Sequence, residues 1–446
     1  MLKNKYKPIR LIMLLTLLIV LFNFSGCSSV GTDVEGFLKP PQSTKEMQKL
    51  GGDIKKIIGN DTVPIFPGSG SFRNSVNFTD IDNDGTDEAA VSYLANTEDK
   101  LAHILILKKI KDNWVTFCNI KGSGMNIDVV DFIDFDGDGK KEIVAGWQLL
   151  ETGGKGLSVY SITETGPGEI LTTSYTTLFI TALDKSNIMG IFTVASDIKS
   201  AKATGKLIKN ENGLPRIVSE CVMDGSALSY GSIYYEQAGT GGNFYINESK
   251  DDTILQTEII KWDGASLANL SYANDNLLFA DYLRRTGNIY SQDIDSDGLI
   301  EIPKNYDISI KQNTLTENIS LTEWFNFSGS GFTHKLYSLI NSKEIYYINF
   351  PANWLNKVLV KNLGTALTFY IKNVGGNDES LFSINALSPD EWKSKEGLTG
   401  WAQIKTYSDR VYALYTFQSL SSAAKNYLPA IEEVRQMFIQ TAINQR

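Results

Sequence analysis

From about residue 61 the chain is a succession of short apolar runs cut by Gly, Asp and Asn. Examples are VNFTDI (76–81), EAAVSYL (88–94), HILILKKI (103–110), WVTFCNI (114–120), VVDFIDF (129–135), EIVAGWQLL (142–150) and LSVYSI (157–162). Short runs rich in β-branched and aromatic residues, bounded by turn formers, predict strands. No long helical period interrupts them before about residue 327. Beyond 335 the pattern changes. IYYINFPANWLNKVLVK (345–361) predicts two strands around a Pro-Ala-Asn-Trp turn, and ALTFYI (366–371), SLFSINAL (380–387) and RVYALYTF (410–417) predict three more. Ser388, Pro389 and Glu391 have the identities of a helix N-cap, N1 and N3. Ile431, Val434, Met437, Phe438 and Ala442 recur at helical spacing, which predicts a helix over 427–443.

One segment recurs. Residues 80–88 read DIDNDGTDE, 134–142 DFDGDGKKE and 293–301 DIDSDGLIE, all of the form D-x-D-x-D-G-x-x-E. They lie 54 and 159 residues apart, and 159 is three times 53. A unit of about 53 residues places degenerate copies near 187 and 240, where the strand-turn-strand rhythm persists without the acidic cluster. Five evenly spaced all-β units of this size predict a mainly β fold: a β-propeller-like repeat domain over 61–334, followed by a small α+β domain over 335–446. No such unit buries its own apolar faces, so neighbours must stack on it.

The repeated segments also carry candidate chemistry. Asp80, Asp82, Asp84 and Glu88 stand at positions one, three, five and nine of the first loop. Asp134, Asp136, Asp138 and Glu142 do so in the second, and Asp293, Asp295, Asp297 and Glu301 in the third. Alternate residues of a tight loop converge, and a hard cation such as calcium takes six to eight oxygen ligands. Gly85, Gly139 and Gly298 at position six permit a sharp turn. Thr86, Lys140 and Leu299 at position seven need contribute only a backbone carbonyl, so their side chains are free to differ. An EF-hand is excluded, because position twelve is Val91, Ala145 or Lys304 and the flanks are strands. The competing reading is plain Asp/Gly turns. Three copies of one spacing, each gathering four mutually repelling carboxylates, favour calcium at up to three structural sites, with magnesium less suited.

These loops resemble the FG-GAP/VCBS repeats of integrin-type β-propellers and bacterial surface proteins, a likeness covering about residues 65–330. It implies blades stapled by calcium. The N-F-P-A-N-W-L-N-K-V segment (349–358) faintly resembles PsbP-like domains and carries over no functional residue. At the N-terminus, Lys3, Lys5, Lys7 and Arg10 precede the apolar run LIMLLTLLIVLF (11–22) and then Ser25-Gly26-Cys27. A basic leader, a short apolar stretch and a small-residue cleavage site describe a secretory signal over 1–26. The segment resembles a bacterial lipoprotein signal, which implies cleavage before Cys27, diacylation of its sulfur, and an outer-face, lipid-anchored, extracytoplasmic location at the bacterial cell membrane. Residues 27–60 then read as a lipidated cysteine and tether, with one short helix around Thr44–Leu50.

The balance of 42 basic against 51 acidic residues among 446, net −9, argues against a nucleic-acid partner. Cys118 and Cys221 are left to form either one disulfide or two unpaired thiols. No H-E-x-x-H, G-x-S-x-G, Walker or dinucleotide fingerprint is present, so a chain without catalysis is expected. Trp114, Trp147, Trp262 and Trp324 are either core packing or a stacking surface. The reading that results is a lipid-anchored module stabilised by calcium loops, binding a surface protein or glycan. An accessory lipoprotein of a membrane complex and a calcium-stabilised hydrolase or lyase acting on cell-surface polymer are its alternatives.

Overall fold

The computed structural model describes residues 45–439, apart from 99, 150–153, 164–165, 272–280, 288, 307–320, 330, 342, 345, 373–377 and 408. The leader and Cys27 lie outside the described residues. One compact unit runs to Asn60 and takes in the hairpin tip Ile110–Trp114; the other comprises Asp61–Lys109 and Val115–Arg446. In the first, the helix Lys45–Ile58 continues through Gly51 and Gly52, seven or eight residues past the expected Leu50. Asp53 is buried there and accepts the Trp114 N–H at 3.4 Å, a contact that glycine propensity alone does not foresee.

The larger unit is mainly β and propeller-like, with six antiparallel sheets in chain order among the described residues. The first contains Val63–Pro64, Val76–Thr79, Glu88–Leu94, Ala102–Ile110 and Asn113–Lys121. Gly124–Ile133, Glu142–Leu149, Lys155–Thr163 and Gly166–Tyr175 form the second. The third is Thr177–Ala182, Met189–Asp197, Lys202–Glu211 and Leu214–Asp224. Ser229–Ala238, Gly241–Ser249, Ile254–Trp262 and Leu267–Asn269 make the fourth, to which Arg284–Thr286 adds along Ile254–Gln256. Glu301–Tyr306, Leu321–Phe327, Phe332–Asn341 and Tyr346–Phe350 begin the fifth, and Phe438–Ile439 completes it. The sixth holds Val358–Leu363, Ala366–Lys372, Asp378–Leu387, Arg410–Thr416 and Trp401–Tyr407. Within the third and fourth sheets, the first hairpin turns at 183–188 and 239–240, where the 53-residue period places its degenerate copies.

Successive sheets share their cores. Alternate residues of one central strand face opposite neighbours, so the run reads as continuously apolar. Ile143, Ala145 and Trp147 join a cluster with Ile104 and Ile106 of the first sheet, whereas Val144 joins Ile191 and Ile208 of the third. Likewise Phe244, Ile246 and Ile260 pack on Phe192 and Leu207, while Tyr245 and Ile259 pack on Ile302 and Phe327. The Phe192 and Phe244 rings stack across the third and fourth sheets with centroids 4.5 Å apart.

Two expectations are corrected. A boundary at 334/335 falls inside the strand Phe332–Asn341, and one hydrophobic cluster extends from Leu321 and Leu339 through Val358, Phe369 and Leu414 to Phe438. The sixth sheet therefore packs on the fifth through a core that runs across 335. The helix predicted over 427–443 is confined to Ile431–Met437, because Phe438 and Ile439 pair with Ile348 and Tyr347; residues 440–443 lie outside the described ones. The helix start at Ser388 forms as read, with a capping box between Ser388 and Glu391 over Pro389–Lys393. Cys118 and Cys221 are free thiols.

A polar cluster is sealed between the third and fourth sheets. Glu248 and Glu258 follow the same parity as Phe244, Ile246 and Ile260 and are fully buried. Glu258 Oε1 accepts the Asp224 N–H at 3.0 Å and Asn269 Nδ2 at 2.6 Å. Lys250 Nζ donates to Glu248 Oε2 at 2.6 Å and lies 2.7 Å from Asp224 Oδ2, and the Tyr230 phenol faces the same charges. Glu248 Oε1 and Glu258 Oε2 find no other donor among the described residues. Burial, with Glu258 beside it, raises Glu248 far above the ordinary carboxylate range.

Two outcomes are expected. Phe244→Ala should cost about 3–5 kcal/mol in denaturant unfolding, the range for an aromatic lost from a core. The raised Glu248 contributes stability that is complete below the ordinary carboxylate pKa and is lost as pH rises toward its folded value. Relative to Glu248→Gln, whose amide N–H donates without titrating, the parent chain should lose up to about 1.4 kcal/mol per pH unit between roughly pH 5 and 9. Parallel stability–pH profiles would show Glu248 ionised in the fold.

Candidate metal centre

Each acidic loop leads directly into a strand. Residues 80–87 precede Glu88–Leu94, 134–141 precede Glu142–Leu149, and 293–300 precede Glu301–Tyr306. In the fifth sheet the preceding strand is reduced to a bridge between Gln292 and Glu301. Position two is a buried apolar anchor: Ile81, Phe135 or Ile294.

The loops share most of one hydrogen-bond scheme, and the second departs from it where Asp136 Oδ1 accepts the Asp138 N–H at 3.1 Å. Position nine is the first residue of the strand, and its carboxylate reaches back to the position-two N–H. Glu88 Oε2 accepts Ile81 N–H at 2.8 Å, Glu142 Oε2 accepts Phe135 at 3.1 Å, and Glu301 Oε2 accepts Ile294 at 3.0 Å. Position one holds the turn with both oxygens. Asp80 accepts the N–H groups of Asp84 and Gly85, Asp134 those of Gly137 and Gly139, and Asp293 those of Asp297 and Gly298, at 2.7–3.2 Å. Position five accepts the N–H of position seven, with Thr86, Lys140 and Leu299 donating to Asp84, Asp138 and Asp297. Positions four and six are left-handed in every copy: Asn83 and Gly85, Gly137 and Gly139, Ser296 and Gly298 have φ between 62° and 89°. The glycine requirement at position six follows.

The carboxylates converge in part. Oxygens of Asp80, Asp82 and Glu88 lie within 4.8 Å of one another, as do those of Asp134, Asp136 and Asp138, and those of Asp293, Asp295 and Asp297. Glu142 and Glu301 stand outside these triplets. Glu301 is fully engaged, since Oε1 also accepts Asn326 Nδ2 at 2.6 Å. Burial pushes Glu301 up to about 7 and raises Glu88 and Glu142. Three buried oxygens, Glu88 Oε1, Asp82 Oδ1 and Asp295 Oδ1, have no donor among the described residues. Hard oxygen donors left bare in this way fit a calcium ion, which would compensate the gathered charge.

Two lysines reach the loops, and the sequence pattern does not reveal them. Lys108 Nζ pairs with Asp82 and lies 2.7 Å from Asp84 Oδ2. Lys335 Nζ pairs with Asp297 and lies 2.9 Å from Asp295 Oδ2. Hydrogen bonding to Asp82 and then Asp84 raises Lys108, and its bond lowers Asp84 in return. Lys335 is raised by Asp297 and then Asp295.

The degenerate units keep the turn and lose the cluster: Asp184 Oδ1 accepts Ser186 N–H at 2.8 Å in the third sheet, and the fourth turns through Gly239 and Thr240. A cleft of about 800 Å³ lies beside the second loop, with Ser71, Asp131, Phe132, Asp134, Phe179 and Asn187 on its walls. Trp114, Trp147, Trp262 and Trp324 are all buried, which settles them as core packing and removes the stacking surface.

No family model matches the chain, and no curated protein matches it. Among similar solved structures is the β-propeller domain of the Trilobed protease from Pyrococcus furiosus, at 11% identity and TM-score 0.30, covering 69% of this chain and 92% of that one. The Dos1 propeller is similar at 10% identity and TM-score 0.30, covering 70% and 68%. An exotype rhamnogalacturonan lyase is similar at 12% identity and TM-score 0.28, covering 80% and 75%. The expectation of a chain without catalysis is corrected on this point. An enzyme stands among the similar structures, and missing nucleophile and nucleotide motifs exclude only the chemistries that need them.

Asp80→Ala removes the acceptor of two backbone N–H groups. Thermal unfolding in chelator should show a loss of about 1–3 kcal/mol, because the loop itself loosens with no metal involved.

Proposed function

We propose that this protein is a lipid-anchored, extracytoplasmic binding module whose propeller-like sheets are stapled by calcium. The observation that carries the reading is the threefold recurrence of one loop scheme, each copy bringing three carboxylates within 4.8 Å. Asp80, Asp82 and Glu88 would hold an ion in the first loop, Asp134, Asp136 and Asp138 in the second, and Asp293, Asp295 and Asp297 in the third. The lipid anchor rests on the Ser25-Gly26-Cys27 motif after its apolar run. A glycan is the ligand class favoured for the cleft beside the second loop, since Ser71, Asp131 and Asn187 offer hydrogen bonds next to Phe132 and Phe179.

Calcium added to the metal-stripped chain should raise its melting temperature. Each site filled at a hundred times its Kd adds about 2.7 kcal/mol. Asp136→Ala should remove the share due to the second loop. Identical melting of the parent chain in calcium and in chelator would overturn the calcium reading.

A further inference from the structure

We propose that Lys108 and Lys335 are resident counter-cations, so that calcium binds the second loop first and must displace an ammonium to bind the first and third. The inference rests on the calcium reading above. Its ground is an asymmetry among three loops that share their spacing, their two left-handed positions and the back-hydrogen bond from position nine. In the first and third, one ammonium bridges the carboxylates at positions three and five: Asp82 and Asp84, or Asp295 and Asp297. Among the described residues, no lysine or arginine is paired with Asp134, Asp136 or Asp138 of the second loop.

The two lysines reach the same place by different routes. Lys108 lies on Ala102–Ile110, the strand next to that of Glu88, where Ala89 is opposite Leu107. Lys335 lies two strands away from that of Glu301. It is the extra residue where the register shifts between Trp324↔Leu336 and Phe325↔His334. Such a bulge re-aims a side chain out of the ladder alternation. Unrelated placements that end on the same pair of positions point to the charge of the loop as the shared requirement.

The ammonium leaves part of each loop open. It takes one oxygen from each of positions three and five, while Asp82 Oδ1, Asp295 Oδ1 and the fully buried Glu88 Oε1 stay without a donor. Glu88 belongs to the first loop's convergent set, and its other oxygen is tied to Ile81 N–H, so the bare oxygen is fixed at the loop. Calcium has ligands to gain in both lysine-bearing loops, and it has to compete with a tethered cation for them. Asp134, Asp136 and Asp138 present no such competitor.

The test is isothermal titration of the metal-stripped full chain with calcium chloride, paired with melting in chelator and in saturating calcium. The parent chain should bind one ion at least ten-fold more tightly than the others. Lys108→Met and Lys335→Met should each bring one further ion into the tight class, whereas Lys108→Arg should not. In chelator Lys108→Met should melt below the parent, and in saturating calcium that gap should close or reverse, which loss of ordinary packing does not produce. Three equivalent ions in the parent, unaffected by either Met variant, would overturn the inference and leave the calcium reading standing. Absence of binding in the parent and in both Met variants would overturn the two together.

Discussion

Everything in the larger unit depends on sheets that are apolar on both faces. A sheet with one apolar face packs once and stops. Here Val144 and Trp147, or Phe244 and Tyr245, send side chains to opposite sides, so the second and fourth sheets each need a neighbour before and after. Burial at about 25 cal/mol per Å² of apolar surface makes that requirement dominant over any single loop contact. The acidic loops are then consequences of where hairpins fall, at the ends of strands whose course the shared cores have already fixed.

Within that frame, the loops balance two electrostatic demands. Their backbones need carboxylates, because positions one, five and nine satisfy N–H groups that the turns leave unpaired. Gathering those carboxylates at a sheet end creates repulsion that something positive has to offset. Lys108 and Lys335 supply part of that charge from the protein itself, whereas among the described residues no cation is paired with Asp134, Asp136 or Asp138 of the second loop. The Glu248 cluster meets the same demand differently, with Lys250 between Glu248 and Asp224 and with burial raising Glu248.

Strand positions, the period of about 53 and the acidic loops were legible because each is local: alternation, spacing and Gly at position six are visible within ten residues. The left-handed position four was not, since Asn83, Gly137 and Ser296 share a conformation without sharing an identity. Lys108 and Lys335 escaped notice because register and a bulge, both tertiary facts, bring them to the loops. Glu248 and Glu258 did leave a signal, acidic residues at the parity of Phe244 and Ile260, which pattern reading passes over as solvated strand faces. The misplaced boundary at 334/335 and the overlong C-terminal helix share a cause. The edge of Tyr346–Phe350 captures Phe438 and Ile439, so pairing across the fifth sheet overrides local propensity.

That capture has a bearing on how the chain is made. During synthesis from the N-terminus, Tyr346–Phe350 emerges well before the segment that covers its outer edge. In the interval the fifth sheet presents unpaired N–H and C=O groups next to a largely apolar strand, a template for another chain in the same state. The sixth sheet is made in between, so its folding sets how soon Phe438–Ile439 arrives. The vulnerable moment in this protein's biogenesis therefore belongs to its last hundred residues, far from the acidic loops.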